Sequence, residues 1–152
     1  MYDIVREAHR SCLSLLRPGV SLRTLQHESV RVIAEGIHRL GLVSGRGLDS
    51  LPKILGSGAH RRFYPHSLGH WLGMDTHDVP LITADQPVLP GVTLTVEPGL
   101  YIPDAPEFGP YAGIGVRLED DVLVTADGAE VLSAGLPIEA EEVEEFIERV
   151  RT

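Results

Sequence analysis

The apolar residues of this chain change period partway along, from helical spacing before residue 41 to alternation after residue 91. That switch limits the fold to helices followed by antiparallel strands, an α+β class. Tyr2, Val5, Ala8, Cys12 and Leu15 recur at helical spacing until "RPG" at 17–19 interrupts them. Ser21 is a good N-cap for a second helix, whose stripe of Leu22, Leu25, Val32, Ile33, Ile37 and Leu40 runs to a stop at Gly41. The pair is expected to be antiparallel. Residues 42–65, with Gly45, Gly47, Pro52, Gly56, Gly58 and Pro65, read mostly as loop with one helical turn around Leu51 to Leu55. "VTLTVE" at 92–97 and "IGVRLE" at 114–119 then alternate, and "DDVLVTADGAEVLS" reads as a hairpin turning at Asp127-Gly128. Helical spacing returns at the end through Val143, Phe146, Ile147 and Val150, behind glutamates that suit a helix N-terminus.

At 152 residues, with 43% hydrophobic and 23% charged, the chain suits one folded domain rather than a disordered segment. Its 22 acidic residues against 13 Lys plus Arg give a formal charge of -9, the wrong sign for nucleic acid or an anionic membrane. No apolar run approaches the roughly 18 residues of a membrane span, and "MYDIVREAHR" is too charged for a signal peptide. Cys12 stands alone, so an internal disulfide is impossible. The expected setting is cytoplasmic, with a mitochondrial one left open.

Strand alternation sorts the residues that could do chemistry. Leu94 and Val96 point one way while Thr93, Thr95 and Glu97 point the other, with Pro98-Gly99 just beyond. In the second run Gly115, Arg117 and Glu119 share the face opposite Ile114, Val116 and Leu118. Each strand therefore offers one carboxylate. Placing a carboxylate in a sheet among apolar neighbours costs several kcal/mol unless a cation or good hydrogen bonds accompany it. The candidates for that positive partner are Arg117, the histidines of "HSLGHWLGMDTHD" at 66–78, or a metal ion. One imidazole with two carboxylates suits Mn, Co, Fe or Zn. Simpler readings stand beside this one: Glu119 pairing with Arg117 on an exposed face, and the C-terminal glutamates as a solvated helix surface. Asp120 and Asp121 read as a strand edge or turn. His66 and His70 have i, i+4 spacing, but Gly69 and Gly73 favour a loop or strand entry over a helix.

"HSLGHWLGMDTHD", then "LPGVTLTVEPGLYIP", then "GIGVRLEDDVLVT", in that order, resemble the C-terminal part of the catalytic domain of aminopeptidase P, among the creatinase/prolidase-like metallopeptidases. The resemblance runs over essentially the whole chain, and prolidase has similar blocks. It implies a partial pita-bread fold: a curved antiparallel sheet with helices packed on its outer face. It also implies an Xaa-Pro aminopeptidase, which releases the N-terminal residue ahead of a proline through water activated by two divalent ions, usually manganese, with Co, Zn or Fe as alternatives. His70, Glu97 and Glu119 would be the metal ligands, with Glu97 also touching the catalytic water. His66 and His77 would contact substrate and take part in catalysis, while Tyr101 and Arg117 would shape the proline pocket. The implied partner is a proline-containing peptide.

The same resemblance implies two further aspartate ligands on an earlier strand pair. Before His66 the acidic residues are Asp3, Glu7, Glu28, Glu35 and Asp49, none in a strand-like pattern. Residues 1–152 are thus expected to be the C-terminal portion of such a catalytic domain, lacking the first ligand strands and the N-terminal domain. Three readings follow: part of a complete Xaa-Pro aminopeptidase or dipeptidase, a non-catalytic binding module, or a homo-oligomer that rebuilds the shell from two copies. In the first, the missing N-terminal half is itself a partner.

Overall fold

Two helices and a broken antiparallel sheet carry this structure, a computed structural model that describes residues 1–43, 45 and 47–151. Ser44 and Arg46, inside the loop expected over 42–65, lie outside the described residues. Helix α1 spans Tyr2–Leu15 and buries Ile4, Val5, Ala8 and Cys12. Helix α2 spans Leu22–Arg39 and begins as expected, with the Ser21 hydroxyl accepting the Thr24 N–H at 3.2 Å. Gly41 follows it at φ +69°, a backbone that glycine reaches without strain. The helices are antiparallel: Ile4 near the start of α1 meets Gly36 near the end of α2, while the Cys12 thiol donates to the Leu25 carbonyl. They cross closely, because a Cβ on Gly36 would lie 2.4 Å from Ile4 Cγ2.

The helical turn expected around Leu51 is longer than its sequence suggests. Helix α3 covers Leu51–Ser57, and a 3₁₀ turn follows at Ala59–Arg62. Pro52 sits in the first turn, where its missing N–H is harmless, and Gly58 at φ +72° ends the helix. The glycines that suggested loop include this terminator.

Five short strands follow: β1 Thr93–Val96, β2 Gly99–Tyr101, β3 Gly115–Arg117, β4 Asp120–Val124 and β5 Ala129–Val131. They form two antiparallel ladders, β1-β4-β5 and β2-β3, with the β4-β5 hairpin where Asp127-Gly128 predicts it. Val96 opposes Asp120 in one ladder and Gly99 opposes Arg117 in the other, which is a single register interrupted once. The interruption has a covalent cause. Pro98 has no N–H, so it accepts from Leu118 N–H at 3.3 Å but cannot return the bond. Asp120 and Asp121 therefore lie in the middle strand of a ladder, not at the edge or turn expected of them.

One face of this sheet packs on the helices. Leu94, Val96, Val122 and Val124 meet Cys12, Leu16, Leu25 and Trp71, while Leu100 and Ile102 join Ile33, Ile37, Phe63 and Phe108. Each fully buried side chain of this size contributes on the order of 2 kcal/mol. The last helix, α4 at Ala140–Val150, is held at its start: the Tyr2 hydroxyl donates to the Ile138 carbonyl at 2.9 Å, and Arg6 and Arg10 both pair with Glu139. No residue of α4 is buried.

His9 sits beneath β4, 1% exposed, with Nε2 at 3.1 Å from Asp120 Oδ2 but not aligned for a hydrogen bond. Burial pushes its pKa below the ordinary histidine value, and the Asp120 charge opposes that only in part. The unfolded chain therefore takes up a proton first as pH falls. Stability contributed by neutral His9 is retained above about pH 6.5 and lost progressively below it.

Two outcomes follow. Gly36→Ala should lower stability by about 1–3 kcal/mol through overpacking, and adding Ile4→Val should recover part of that loss in urea unfolding. His9→Gln should flatten the decline of the urea midpoint between pH 7 and pH 5, measured against the unsubstituted chain; His60, also shifted down by burial, leaves a residual slope.

Candidate metal centre

The sheet face turned away from the helices carries every side chain singled out for chemistry. Segment 66–72 runs antiparallel beside β1: Leu72 N–H donates to Thr93 O, Thr95 N–H to His70 O, and Glu97 N–H to Leu68 O. Trp71 bridges Leu94 in the same register. This is the loop or strand entry expected for the two histidines, irregular backbone paired to β1 through a single bridge at Trp71. Gly69 is required here, because a Cβ would lie 1.9 Å from the Thr95 carbonyl oxygen. His70 is thereby brought alongside Glu97.

Carried through the Pro98 break, the register sets Glu97 opposite Glu119. Like charges directly across an antiparallel pair repel. One ligand atom from each of His70, Glu97 and Glu119 lies within 4.8 Å of the others. Burial and the Glu97 charge hold the Glu119 carboxyl above the usual carboxylate range, with Arg117 opposing. Glu97 is itself 8% exposed.

The histidine tautomer tests whether a cation fits. His70 Nδ1 lies 3.1 Å from the Trp71 carbonyl. A carbonyl only accepts, so Nδ1 carries the proton, and in the neutral ring the Nε2 lone pair faces Glu97 Oε1 at 3.2 Å. Two lone pairs at that distance with a second carboxylate beside them require a proton or a cation between them. The donor set of one nitrogen and carboxylate oxygens, with the imidazole oriented by a backbone carbonyl, suits a divalent ion.

A second group adjoins the first. Arg117 Nε–H donates to Tyr101 Oη at 2.7 Å, Tyr101 O–H donates to His66 Nε2 at 2.9 Å, and His66 Nδ1–H donates to the Ser67 carbonyl at 2.8 Å. Every donor direction in that chain is fixed by its two ends. Gly99 makes room for the Tyr101 ring, since a Cβ there would lie 2.4 Å from Oη. Arg117 joins the two groups, with one guanidinium nitrogen at 3.5 Å from Glu97 Oε2, so its nearest carboxylate is Glu97 and not the Glu119 of the simpler reading. The His77 ring lies over His70, centroids 4.3 Å apart. All seven residues expected at the site therefore share one region.

Thr95 and Gln26 escaped the sequence reading. The Thr95 hydroxyl touches both Glu97 and His70, and the Gln26 side-chain oxygen accepts the Leu68 N–H. Thr95 was legible in principle, two positions before Glu97 on the same strand face; Gln26, on α2, carries no such signal.

Helices on one face of an antiparallel sheet, with a His-Glu-Glu cluster that could hold a metal ion on the other, define the class as α+β. The profile of metallopeptidase family M24 matches residues 1–126, and the chain belongs to that family. It is 42% identical to the Xaa-Pro aminopeptidase of Escherichia coli K12 over 154 residues, covering 99% of this chain and 34% of that protein. Among solved structures, E. coli aminopeptidase P with the inhibitor Pro-Leu is similar at a TM-score of 0.87 and 41% identity, again over 99% of this chain and 34% of that one. Pseudomonas aeruginosa aminopeptidase PepP gives a TM-score of 0.88 at 37% identity, with the same coverages. The chain thus spans about a third of the length of these relatives. Its fold is the pita-bread fold in part, as expected.

Because Glu97 and Glu119 repel, Glu119→Gln should raise the melting point in EDTA, by the equivalent of about 0.5 kcal/mol. If His70, Glu97 and Glu119 hold a divalent ion, the same substitution should also abolish any rise in melting point on adding a divalent cation; both are read by differential scanning calorimetry.

Proposed function

We propose that this chain is the C-terminal portion of the catalytic domain of an Xaa-Pro aminopeptidase, acting as part of a complete domain. The observation that carries this reading is the convergence of His70, Glu97 and Glu119 on one point, from a segment and two strands far apart in sequence. Family membership and the likeness to Xaa-Pro aminopeptidases support it.

In this reading His70 Nε2 and the carboxylates of Glu97 and Glu119 hold divalent metal, two ions in the complete domain and manganese by preference. Bound ions supply the electrophilic charge that polarises a peptide carbonyl and makes water nucleophilic near neutral pH. The remaining steps belong to the side chains. Arg117 and Tyr101 fix His66 with its Nε2 as acceptor, so His66 presents the substrate with one defined face, and the proline ring packs beside Tyr101. His77, over the His70 ring, donates toward oxygen as charge develops on the scissile carbonyl. Arg117 also balances the Glu97 charge from the side away from His70.

The test is hydrolysis by the protein that carries this chain, loaded with Mn²⁺. Release of the N-terminal residue from Xaa-Pro-Yaa tripeptides should exceed that from Xaa-Pro dipeptides and from Xaa-Ala-Yaa tripeptides, and His66→Ala should lower kcat/KM at least about tenfold. A preference for the dipeptide would make the enzyme a prolidase. Equal cleavage after proline and alanine partners, or none of either, would overturn the reading.

A further inference from the structure

We propose that Thr95 is a positioning residue for this metal centre, its hydroxyl coupling the backbone of His70 to the carboxylate of Glu97. The proposal rests on the reading of His70, Glu97 and Glu119 as metal ligands, and adds a residue that binds no ion itself.

The pairing of segment 66–72 with β1 is irregular at just the positions that matter. In a regular antiparallel pair, Thr95 and His70 would exchange two backbone hydrogen bonds. Thr95 N–H does donate to His70 O at 2.9 Å. The return bond goes elsewhere: His70 N–H donates to the Thr95 hydroxyl oxygen at 3.0 Å. A side chain has replaced the backbone acceptor. The next pair toward Glu97 repeats the pattern, where Glu97 N–H donates to Leu68 O but Leu68 N–H turns to the Gln26 side chain.

The replacement fixes the direction of the hydroxyl proton. With one lone pair taken by the His70 amide, the Thr95 O–H donates to Glu97 Oε1 at 3.0 Å. Thr95 is 2% exposed, so water cannot compete for either bond. One oxygen therefore sets both the carboxylate rotamer of Glu97 and the height of His70 above the strand. Glu97 Oε1 keeps one lone-pair direction for Thr95 and turns its remaining acceptor capacity to the His70 imidazole, while Oε2 faces Arg117. Ligands held this way move together or not at all, and an outer hydrogen-bond partner of that kind typically changes metal affinity by 10- to 100-fold when removed.

Valine and serine separate this role from packing. Thr95→Val keeps the shape and removes the hydroxyl; Thr95→Ser keeps the hydroxyl and removes a methyl. Isothermal titration of the protein carrying this chain with Mn²⁺, at a temperature where circular dichroism shows each variant folded, should give a Kd raised at least about tenfold for Thr95→Val and within about threefold of the original for Thr95→Ser. A purely structural role predicts the opposite split: a lower melting point in EDTA for either variant with an unchanged Mn²⁺ Kd in the folded protein. An unchanged Kd for Thr95→Val, or equal weakening by Thr95→Ser, would overturn the role of Thr95 while leaving the metal centre intact. Failure of the unsubstituted protein to take up Mn²⁺ would overturn the centre itself, and this role with it.

Discussion

Two carboxylates facing each other across a break in an antiparallel sheet are the constraint around which this structure is organised. Glu97 and Glu119 sit opposite one another, one buried and one more exposed, in the register set by the strands on either side. Alone, that pairing costs stability. Its neighbours offset that cost in part: a histidine whose free nitrogen faces Glu97 Oε1, a threonine hydroxyl that donates to the same oxygen, and an arginine at Oε2. The helices have a different task. By burying Leu94, Val96, Leu100 and Val122 from beneath, they hold the backbone that keeps the charges facing each other.

The two polar groups on that face differ in kind. The cluster of His70, Glu97 and Glu119 brings an imidazole lone pair and two carboxylates within 4.8 Å of one another, a set that could hold a cation. The chain from Arg117 through Tyr101 to His66 and Ser67 is already satisfied, with each donor matched to an acceptor. The first gathers negative charge around one imidazole; the second keeps one imidazole in a single orientation. Their junction, the Arg117 guanidinium beside Glu97, lets one cationic side chain serve both.

Much of this was legible in the residues. Alternation alone put Glu97 and Glu119 on the face opposite the apolar side chains, and the caps at Ser21 and Gly41 marked α2 closely. The expectation of metal ligation came from the family resemblance, because a lone histidine and two glutamates fit a surface ion pair equally well. The rest was hidden for physical reasons. Whether two strands align so that their carboxylates meet depends on register, which no single strand encodes. The length of α3 was obscured because Gly56 and Gly58 mark loop as readily as helix end. Asp120 looked like an edge residue, yet it lies in a central strand because β4 pairs with β1 on one side and β5 on the other, and β1 lies more than twenty residues earlier. The apolar stripe of α4 was read correctly as helical, but periodicity says nothing of what a stripe covers: Phe146 and Ile147 stay partly exposed.

The Pro98 interruption also bears on how the sheet finds its alignment. A slip of one residue of β1 against β4 would turn Glu97 inward beneath α1 and α2 and expose Leu94 and Val96 in its place. Desolvating an unpaired anion there would offset much of the stability a domain of this size possesses. The charge of Glu97 therefore disfavours the misregistered frame and favours the one alignment in which it faces Glu119 across the Pro98 break.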